Sequence, residues 1–206
     1  MRDIMKIKVC GITNLKDALA AEKAGADILG FIFAKSPRRV KPAAIVRIAR
    51  ALKMSTMKAG VFVNEKVDRV NTLVKELKLN FVQLSGDETP AYARRIKGAK
   101  IIKVVHVKNG QAIKKQVKQF GGRVYAFIFD TYDKKKQGGT GRVFNWALLN
   151  DIKAPFFIAG GLNPSNVKEA IKCARPFGVD VSSGIEARPG RKDMKKMKEF
   201  FKAVKG

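Results

Sequence analysis

Three stretches of this 206-residue chain carry side chains that could transfer protons or bind anions. Cys10 closes the apolar run "KIKVC", and Asp130 closes the run "VYAFIFD". At the end of a strand, a cysteine is either structural filling or a reactive thiol, and a carboxylate is either a structural cap or an acid. Arg38, in "KSPRRV", can form a two-pronged pair with a carboxylate or a phosphate, and Arg39 is the alternative.

The elements that must position these residues alternate regularly along the chain. Short apolar runs without strict polar alternation predict strands that are buried on both faces. They cover residues 7–10, 28–33, 59–63, 81–84, 101–105, 124–129, 156–159 and 178–181. Between them lie amphipathic segments with helical spacing, such as "EKVDRVNTLVKEL". This α/β pattern predicts a single (β/α)8 TIM barrel, an eight-stranded parallel barrel with outer helices, over residues 1–206. An open doubly wound sheet is the alternative.

Local signals predict where some helices begin and end. Gly25 predicts the C-terminus of the first helix, and the Asn-Pro pair at 163–164 predicts an N-cap followed by the first helical residue. Less regular patterns predict helices near 89–97 and 146–151, and "GGTG" at 138–141 predicts a flexible loop able to close over a ligand. In the last helix we expect an apolar stripe to face inward, namely Met194, Met197, Phe200, Phe201 and Val204.

Glycine- and serine-rich stretches after the last two strands predict a phosphate site. "FFIAGGLNPSNV" places Gly160 and Gly161 after one strand, and "GVDVSSGIE" places Ser182, Ser183 and Gly184 after the next. Glycines let backbone N–H groups approach an anion closely, and serine hydroxyls add further donors. In barrels the active site lies at the carboxyl ends of the strands, and these two loops often build a phosphate site there.

The charge of the chain is strongly positive, with 43 Lys and Arg against 17 acidic residues and a net charge of +26. The lysines are spread over most predicted helices, which is typical of a solvated surface, and non-specific binding of polyanions at low salt is expected. We expect no specific nucleic-acid partner, because no recognition motif accompanies the charge. No membrane span or secretory leader is visible, and Cys10 and Cys173 form no disulfide framework or metal cluster. We therefore expect a cytoplasmic protein.

Seven stretches, in order, carry a family resemblance that covers nearly the whole chain. They read "KVCGITNLKDALAAEKAGADILGFIF", "KSPRRV", "VFVNE", "FVQLSGDE", "GGTGRVFNW", "AGGLNPSNV" and "PFGVDVSSGIE". Together they resemble the phosphoribosylanthranilate isomerases of tryptophan biosynthesis. The resemblance implies an Amadori rearrangement, without cofactor or metal, of N-(5-phosphoribosyl)anthranilate to 1-(2-carboxyphenylamino)-1-deoxyribulose 5-phosphate. A general acid opens the furanose ring, and a general base removes a proton from the neighbouring sugar carbon.

The resemblance also implies a role for individual residues. Cys10 is the base, Asp130 is the acid and Arg38 binds the anthranilate carboxylate. The phosphate is held by Gly160, Gly161, Ser182, Ser183 and Gly184. Asp180 either orients the substrate or its loop, or is a structural carboxylate. We expect a basic pocket to lower the pKa of the Cys10 thiol, and burial to raise the pKa of Asp130.

One departure from the family pattern stands at the end of the fourth strand. The family usually reads Gln-Leu-His-Gly there, whereas this chain has Ser85 in the third position. His106, the single histidine, is expected to be structural. Two other functions stay open: a related sugar-phosphate isomerase barrel of histidine biosynthesis, and a polyanion-binding protein on an inactive barrel. The first typically uses two aspartates, one on the first strand, where this chain has Cys10. We expect a monomer or a homodimer.

Overall fold

The structure, a computed structural model, describes residues 5–131 and 143–206. Eight strands pair in chain order, every pair is parallel, and β8 returns to β1, which closes a barrel. The (β/α)8 barrel is thus confirmed, and the open doubly wound sheet is wrong. The strands are β1 (Lys6–Val9), β2 (Ile28–Ile32), β3 (Met57–Phe62), β4 (Phe81–Leu84), β5 (Lys100–Val107), β6 (Ala126–Thr131), β7 (Phe156–Ile158) and β8 (Gly178–Val181).

Helices follow most strands and cover the outside of the barrel. They are α1 (Leu15–Ala24), α2 (Pro42–Ala51), α3 (Val67–Leu77), α4 (Pro90–Arg94), α5 (Gly110–Phe120), α6 (Val167–Ala174) and α7 (Met194–Lys205). The helix expected near 146–151 is a short 3₁₀ turn, Trp146–Leu149. Between β8 and α7 lie a second 3₁₀ turn, Ser183–Ile185, and a small antiparallel hairpin, β9 (Glu186–Arg188) with β10 (Arg191–Lys192).

Two apolar layers hold the barrel together. Side chains alternate across each strand, so one set packs against the helices and the other fills the barrel interior. The interior set forms its own cluster, comprising Ile28, Ala59, Phe81, Ile102, Val104, Ala126, Ile128, Phe157 and Ala159. Toward the carboxyl ends of the strands polar side chains replace these apolar ones, and the site opens there.

Two predictions of helix ends have different outcomes. Gly25 does end α1: it has φ 104°, and its N–H donates to the carbonyl of Ala21 at 3.2 Å. The predicted helix start at 163–164 is wrong, because α6 begins at Val167. The Asn163 side chain instead accepts the Ser165 N–H at 2.9 Å, which closes a turn ahead of the helix. Asx turns of this kind compete with helix N-caps for the same side chain.

The inward stripe predicted for the last helix is confirmed in its centre and wrong at its start. Met197, Phe200 and Phe201 are buried, whereas Met194, in the first turn of α7, is 38% exposed. The loop predicted at 138–141 lies outside the described residues.

Candidate active site

A pocket opens at the carboxyl ends of the strands and gathers nearly all of the predicted site residues. Those that line it are Cys10, Arg38, Asp130, Gly160, Gly161, Asp180, Ser182 and Ser183. Gly184 stands behind this lining, where it packs against the backbone of the preceding loop. A Cβ at Gly184 would overlap the carbonyl oxygen of Leu162, so the close packing of the last two loops needs a glycine there.

Cys10 lies one residue past β1 and closes the strand end. Its N–H donates to the Val181 carbonyl at 2.9 Å, and the residue is buried against the pocket. Burial raises the pKa of the Cys10 thiol, although the charges of Lys8 and Lys192 oppose this rise. The expectation of a lowered thiol pKa is therefore wrong, because desolvation of the thiolate, together with the charge of Asp180, outweighs both ammonium groups. The thiol is a stronger base once ionised, but a smaller fraction of it is ionised.

Asp130 lies inside β6, one residue before its end, rather than after the strand. Burial raises the pKa of Asp130 to about 6, and the neighbouring charge of His106 opposes this rise. The expectation that burial helps this carboxyl keep its proton is confirmed. Gly160 lies directly against this carboxyl: it has φ +80°, and a Cβ there would stand 2.6 Å from Asp130 Oδ1. The loop after β7 reaches Asp130 because Gly160 has no side chain.

The loops after β7 and β8 offer the pocket hydrogen-bond donors that could bind an anion. Ser182 Oγ is buried and has no hydrogen-bond partner within the described parts of the chain. The carbonyl of Gly161 is occupied by the side-chain amides of Asn163, at 3.2 Å, and Asn166, at 3.0 Å. Because that acceptor is already bound, it repels an incoming anion less. A buried hydroxyl without a partner and two glycines with positive φ make a suitable cradle for a phosphate.

The Arg38 side chain lines the pocket, and an ion pair with Glu186 fixes its direction. Its Nε donates to Glu186 Oε1 at 2.9 Å, and its Nη2 donates to Oε2 at 2.7 Å. Among the described residues this side-on pair leaves the Nη1–Nη2 edge for a second carboxylate, since a guanidinium carries five N–H donors. Arg39, the alternative, is exposed and does not line the pocket. The geometry therefore favours Arg38.

The hairpin after β8 contributes two charged residues that the sequence did not assign. Lys192 is buried, and its Nζ donates to the Cys10 carbonyl at 2.7 Å, to the Ser182 carbonyl at 3.1 Å and to Glu186 Oε1 at 3.0 Å. The Lys192 ammonium group therefore links three parts of the site, namely the end of β1, the loop after β8, and Glu186, which is the ion-pair partner of Arg38. The Pro189–Gly190 pair is a turn signal that could have indicated the hairpin.

Three inward-facing strand residues were also missed. Lys8 Nζ forms a buried ion pair with Asp180 Oδ1 at 2.9 Å, and these two residues are in register on β1 and β8. Gln83 lines the pocket and donates from Nε2 to Ser85 Oγ at 3.1 Å. His106, expected to be structural, lines the same pocket in register with Asp130. Spacing by two residues from a known site residue could have indicated Lys8, since alternate strand residues share a face.

Among residues 5–131 and 143–206, no group of three or more His, Cys, Asp or Glu side chains is placed to hold a metal ion. Within the same ranges no helix is both long and apolar enough to cross a membrane. Cys10 and Cys173 are both free thiols.

A (β/α)8 barrel whose pocket gathers a thiol, a carboxyl and two loops rich in glycine and serine is typical of enzymes that transfer protons on phosphorylated substrates. The family described as N-(5'-phosphoribosyl)anthranilate (PRA) isomerase matches residues 7–203. The chain therefore belongs to the PRA isomerase family, and the family resemblance seen in its motifs is confirmed.

Individual relatives agree with this assignment over their full length. The N-(5'-phosphoribosyl)anthranilate isomerase of Geobacter sulfurreducens is 41% identical over 206 residues, which cover 98% of this chain and 100% of the relative. The crystal structure of phosphoribosyl anthranilate isomerase from Thermotoga maritima is 39% identical, with a TM-score of 0.91 and coverage of 98% and 99%. A further isomerase structure, in complex with reduced 1-(o-carboxyphenylamino)-1-deoxyribulose 5-phosphate, is 38% identical, with a TM-score of 0.86 and coverage of 98% and 99%.

Proposed function

We propose that this protein is a phosphoribosylanthranilate isomerase of tryptophan biosynthesis. It converts N-(5-phosphoribosyl)anthranilate to 1-(2-carboxyphenylamino)-1-deoxyribulose 5-phosphate by general acid–base chemistry, with Asp130 as the acid and Cys10 as the base. The observation that carries the proposal is that both side chains line one pocket whose rim also holds Arg38 and the two phosphate loops. The same barrel therefore supplies every group that the reaction needs.

The reaction begins with binding at two anionic ends of the substrate. The Nη1–Nη2 edge of Arg38 takes the anthranilate carboxylate. Backbone N–H groups of Gly160, Gly161, Ser183 and Gly184, with the Ser182 hydroxyl, take the phosphate. Asp180 serves this site indirectly, through its ion pair with Lys8 at the floor of the pocket. Binding at both ends fixes the ribose between the acid and the base.

Two proton transfers then carry the chemistry. The protonated Asp130 carboxyl gives its proton to the furanose ring oxygen, the C–O bond breaks, and the ring opens to an iminium. The Cys10 thiolate takes the proton from the neighbouring sugar carbon, and the electron pair of that C–H bond forms an enolamine. The enolamine tautomerises to the ketone, and the proton on Cys10 returns through solvent to Asp130. Each transfer is worth about 10²–10⁴-fold in rate.

The experiment that tests the proposal follows the loss of substrate fluorescence with freshly prepared phosphoribosylanthranilate. We expect rapid turnover by the wild type and losses of at least about 100-fold in Cys10→Ala and in Asp130→Asn. Cys173→Ser is the matched control, because Cys173 is an exposed thiol far from the pocket lining, and it should keep full activity. Full activity in either site variant would contradict its assigned role.

The same assay separates the alternative functions. A histidine-pathway activity would show turnover of a different aminoaldose phosphate and none of phosphoribosylanthranilate. Polyanion binding on an inactive barrel would show neither activity but a steep dependence of RNA or DNA binding on salt. We propose further that one barrel domain over residues 1–206 carries the activity, as a monomer or homodimer in the cytoplasm, where the Cys10 thiol stays reduced.

A further inference from the structure

Lys8 is a lysine inside the barrel, where most neighbouring strands place apolar side chains. Its flanking residues Ile7 and Val9 pack against the outer helices, so Lys8 and Cys10 share the inward face of β1. The Lys8 side chain is 0% exposed. Comparable inward positions deeper in the barrel hold residues such as Ile28 and Phe81.

The Lys8 ammonium has two neighbours, Asp180 and Cys10. It lies 2.9 Å from Asp180 Oδ1 across the β1–β8 seam. Its positive charge also acts on the Cys10 thiol, whose thiolate form it favours. Gly30 on β2 makes room for this contact, since a Cβ there would stand 2.8 Å from Cys10 Sγ and 3.2 Å from Lys8 Nζ. The ammonium and the sulfur therefore share the space that a larger β2 side chain would fill.

A buried ion pair at this position is a poor way to stabilise a barrel. The desolvation of two charges often exceeds their mutual attraction, and well-packed apolar residues of similar volume are as stable or more stable. A barrel that needed only packing would not place a lysine beneath Cys10. Besides its ion-pair partner Asp180, the neighbour whose ionisation the Lys8 charge affects is the Cys10 thiol.

We propose that Lys8 is a positioning residue of the isomerase: its ammonium, anchored by Asp180, stands beside the Cys10 sulfur and stabilises the thiolate that acts as base. This inference rests on the proposed function, in which Cys10 is the base. On ionisation the thiol proton leaves to solvent, and Lys8 keeps its own proton throughout. Burial alone would lower the pKa of Lys8, but the charges of Asp180 and Cys10 raise it above the ordinary lysine value. Lys8 therefore stays charged across the working range.

Three charged groups act on the Cys10 thiol from the elements around it. Lys8 on β1 favours the thiolate, Asp180 on β8 opposes it, and Lys192 on β10 favours it. Lys192 Nζ is committed to two backbone carbonyls and to Glu186, so its charge is largely compensated. Lys8 makes the largest favourable contribution, and its removal should have the largest effect.

The experiment measures the ionisation of Cys10 directly, without turnover. In a Cys173→Ser background a single thiol remains, and its rate of alkylation by iodoacetamide is followed against pH. We expect Lys8→Met to move the midpoint upward, so that alkylation at pH 8 slows by about tenfold or more. Lys8→Arg should restore part of the rate, because it restores the charge. Lys6→Met removes a partly exposed lysine from the same strand and should leave the midpoint unchanged.

A paired variant keeps the test decisive if Lys8→Met fails to fold because Asp180 is left unpaired. The double variant Lys8→Met/Asp180→Asn removes both charges of the ion pair, so this part of the interior stays neutral. We expect it to shift the alkylation midpoint upward by less than Lys8→Met alone. Asp180→Asn alone should shift the midpoint downward, since its charge opposes the thiolate. An unchanged or lowered midpoint in both Lys8→Met variants would overturn the proposal. If Lys8→Met shifts the midpoint upward but Cys10→Ala keeps full turnover, the coupling between Lys8 and Cys10 stands. The proposed role of Cys10 as the base would then be contradicted instead.

Discussion

At the scale of single residues, the proposed acid, Asp130, and the proposed base, Cys10, are found at neutral pH mostly in the protonation states opposite to those that their proposed roles need. Burial raises the pKa of Asp130 to about 6 and also raises the pKa of the Cys10 thiol. At neutral pH the productive form, with a protonated Asp130 and an ionised Cys10, is a minor species. With such reversed protonation, kcat/KM still depends on pH with a bell-shaped profile. Between the two pKa values the fraction of thiolate rises as the fraction of protonated acid falls, so their product stays level.

We therefore expect kcat/KM to rise with pH up to about 6, to stay level above it, and to fall above the thiol pKa. His106→Gln should move the acid limb to higher pH, because the charge of His106 lowers the pKa of Asp130. The measurement is kcat/KM across the pH range for both proteins. An acid limb that keeps its position in His106→Gln would contradict this effect of His106 on Asp130.

At the scale of elements, glycine in the β7 loop lets the loop approach the acid. In Gly160→Ala the new Cβ meets Asp130 and Thr131, so we expect kcat/KM to fall by about 100-fold or more. Gly122→Ala is the matched control: it also has positive φ, 66°, but open space around it. Gly122→Ala should lose about 1–2 kcal/mol of unfolding free energy from backbone strain, and Gly160→Ala should lose more because its Cβ also overlaps Thr131 and Asp130. Only Gly160→Ala should lose activity. Equal activity in the two would contradict the account.

Glu186, on the β9–β10 hairpin, forms ion pairs with both Arg38 and Lys192. Glu186→Gln removes the charge partner of both Arg38 and Lys192, so KM should rise by about tenfold or more, with a smaller change in kcat. The free energy of unfolding should fall by about 3 kcal/mol in urea, because buried Lys192 loses its counter-charge. Glu169→Gln, an exposed acid on α6, serves as the control. A wild-type KM in Glu186→Gln would show that Arg38 does not need this anchor.

The elements differ in how far the sequence could predict them. Strands buried on both faces leave continuous apolar runs, and all eight were predicted close to their observed positions. The hairpin was missed because its strands are short and polar, and its role depends on a tertiary contact between Lys192 and β1. Asn163 was misplaced because one side chain can close either a turn or a helix end, and only the packing of α6 decides between them.

At the scale of the whole molecule, a net charge of +26 surrounds a pocket that we propose binds a substrate with two anionic groups. A positive field raises the encounter rate with anions, and salt screens it over about 10 Å at 0.1 M ionic strength. We expect kcat/KM to fall several-fold between about 20 and 200 mM KCl while kcat stays nearly constant. A fall in kcat alone would contradict charge steering and indicate a change in the protein itself.

The barrel, and the residues that its pocket gathers, could largely be predicted from the sequence, whereas the energetics of the site could not. The strand-end positions of Cys10 and Asp130 are visible as the ends of apolar runs. The pKa of each depends on burial and on charges from distant parts of the chain, such as Lys192. The net charge predicted a lowered thiol pKa, and local desolvation reversed that direction.

The most direct test of the central claim compares the double variant Cys10→Ala/Asp130→Asn with its two single variants on phosphoribosylanthranilate. Both residues are needed in one sequence of steps, so we expect each single variant to lose most of the activity. The double variant should then lose much less than the product of the two single losses. Losses that multiply, or wild-type turnover in either single variant, would contradict a shared acid–base mechanism.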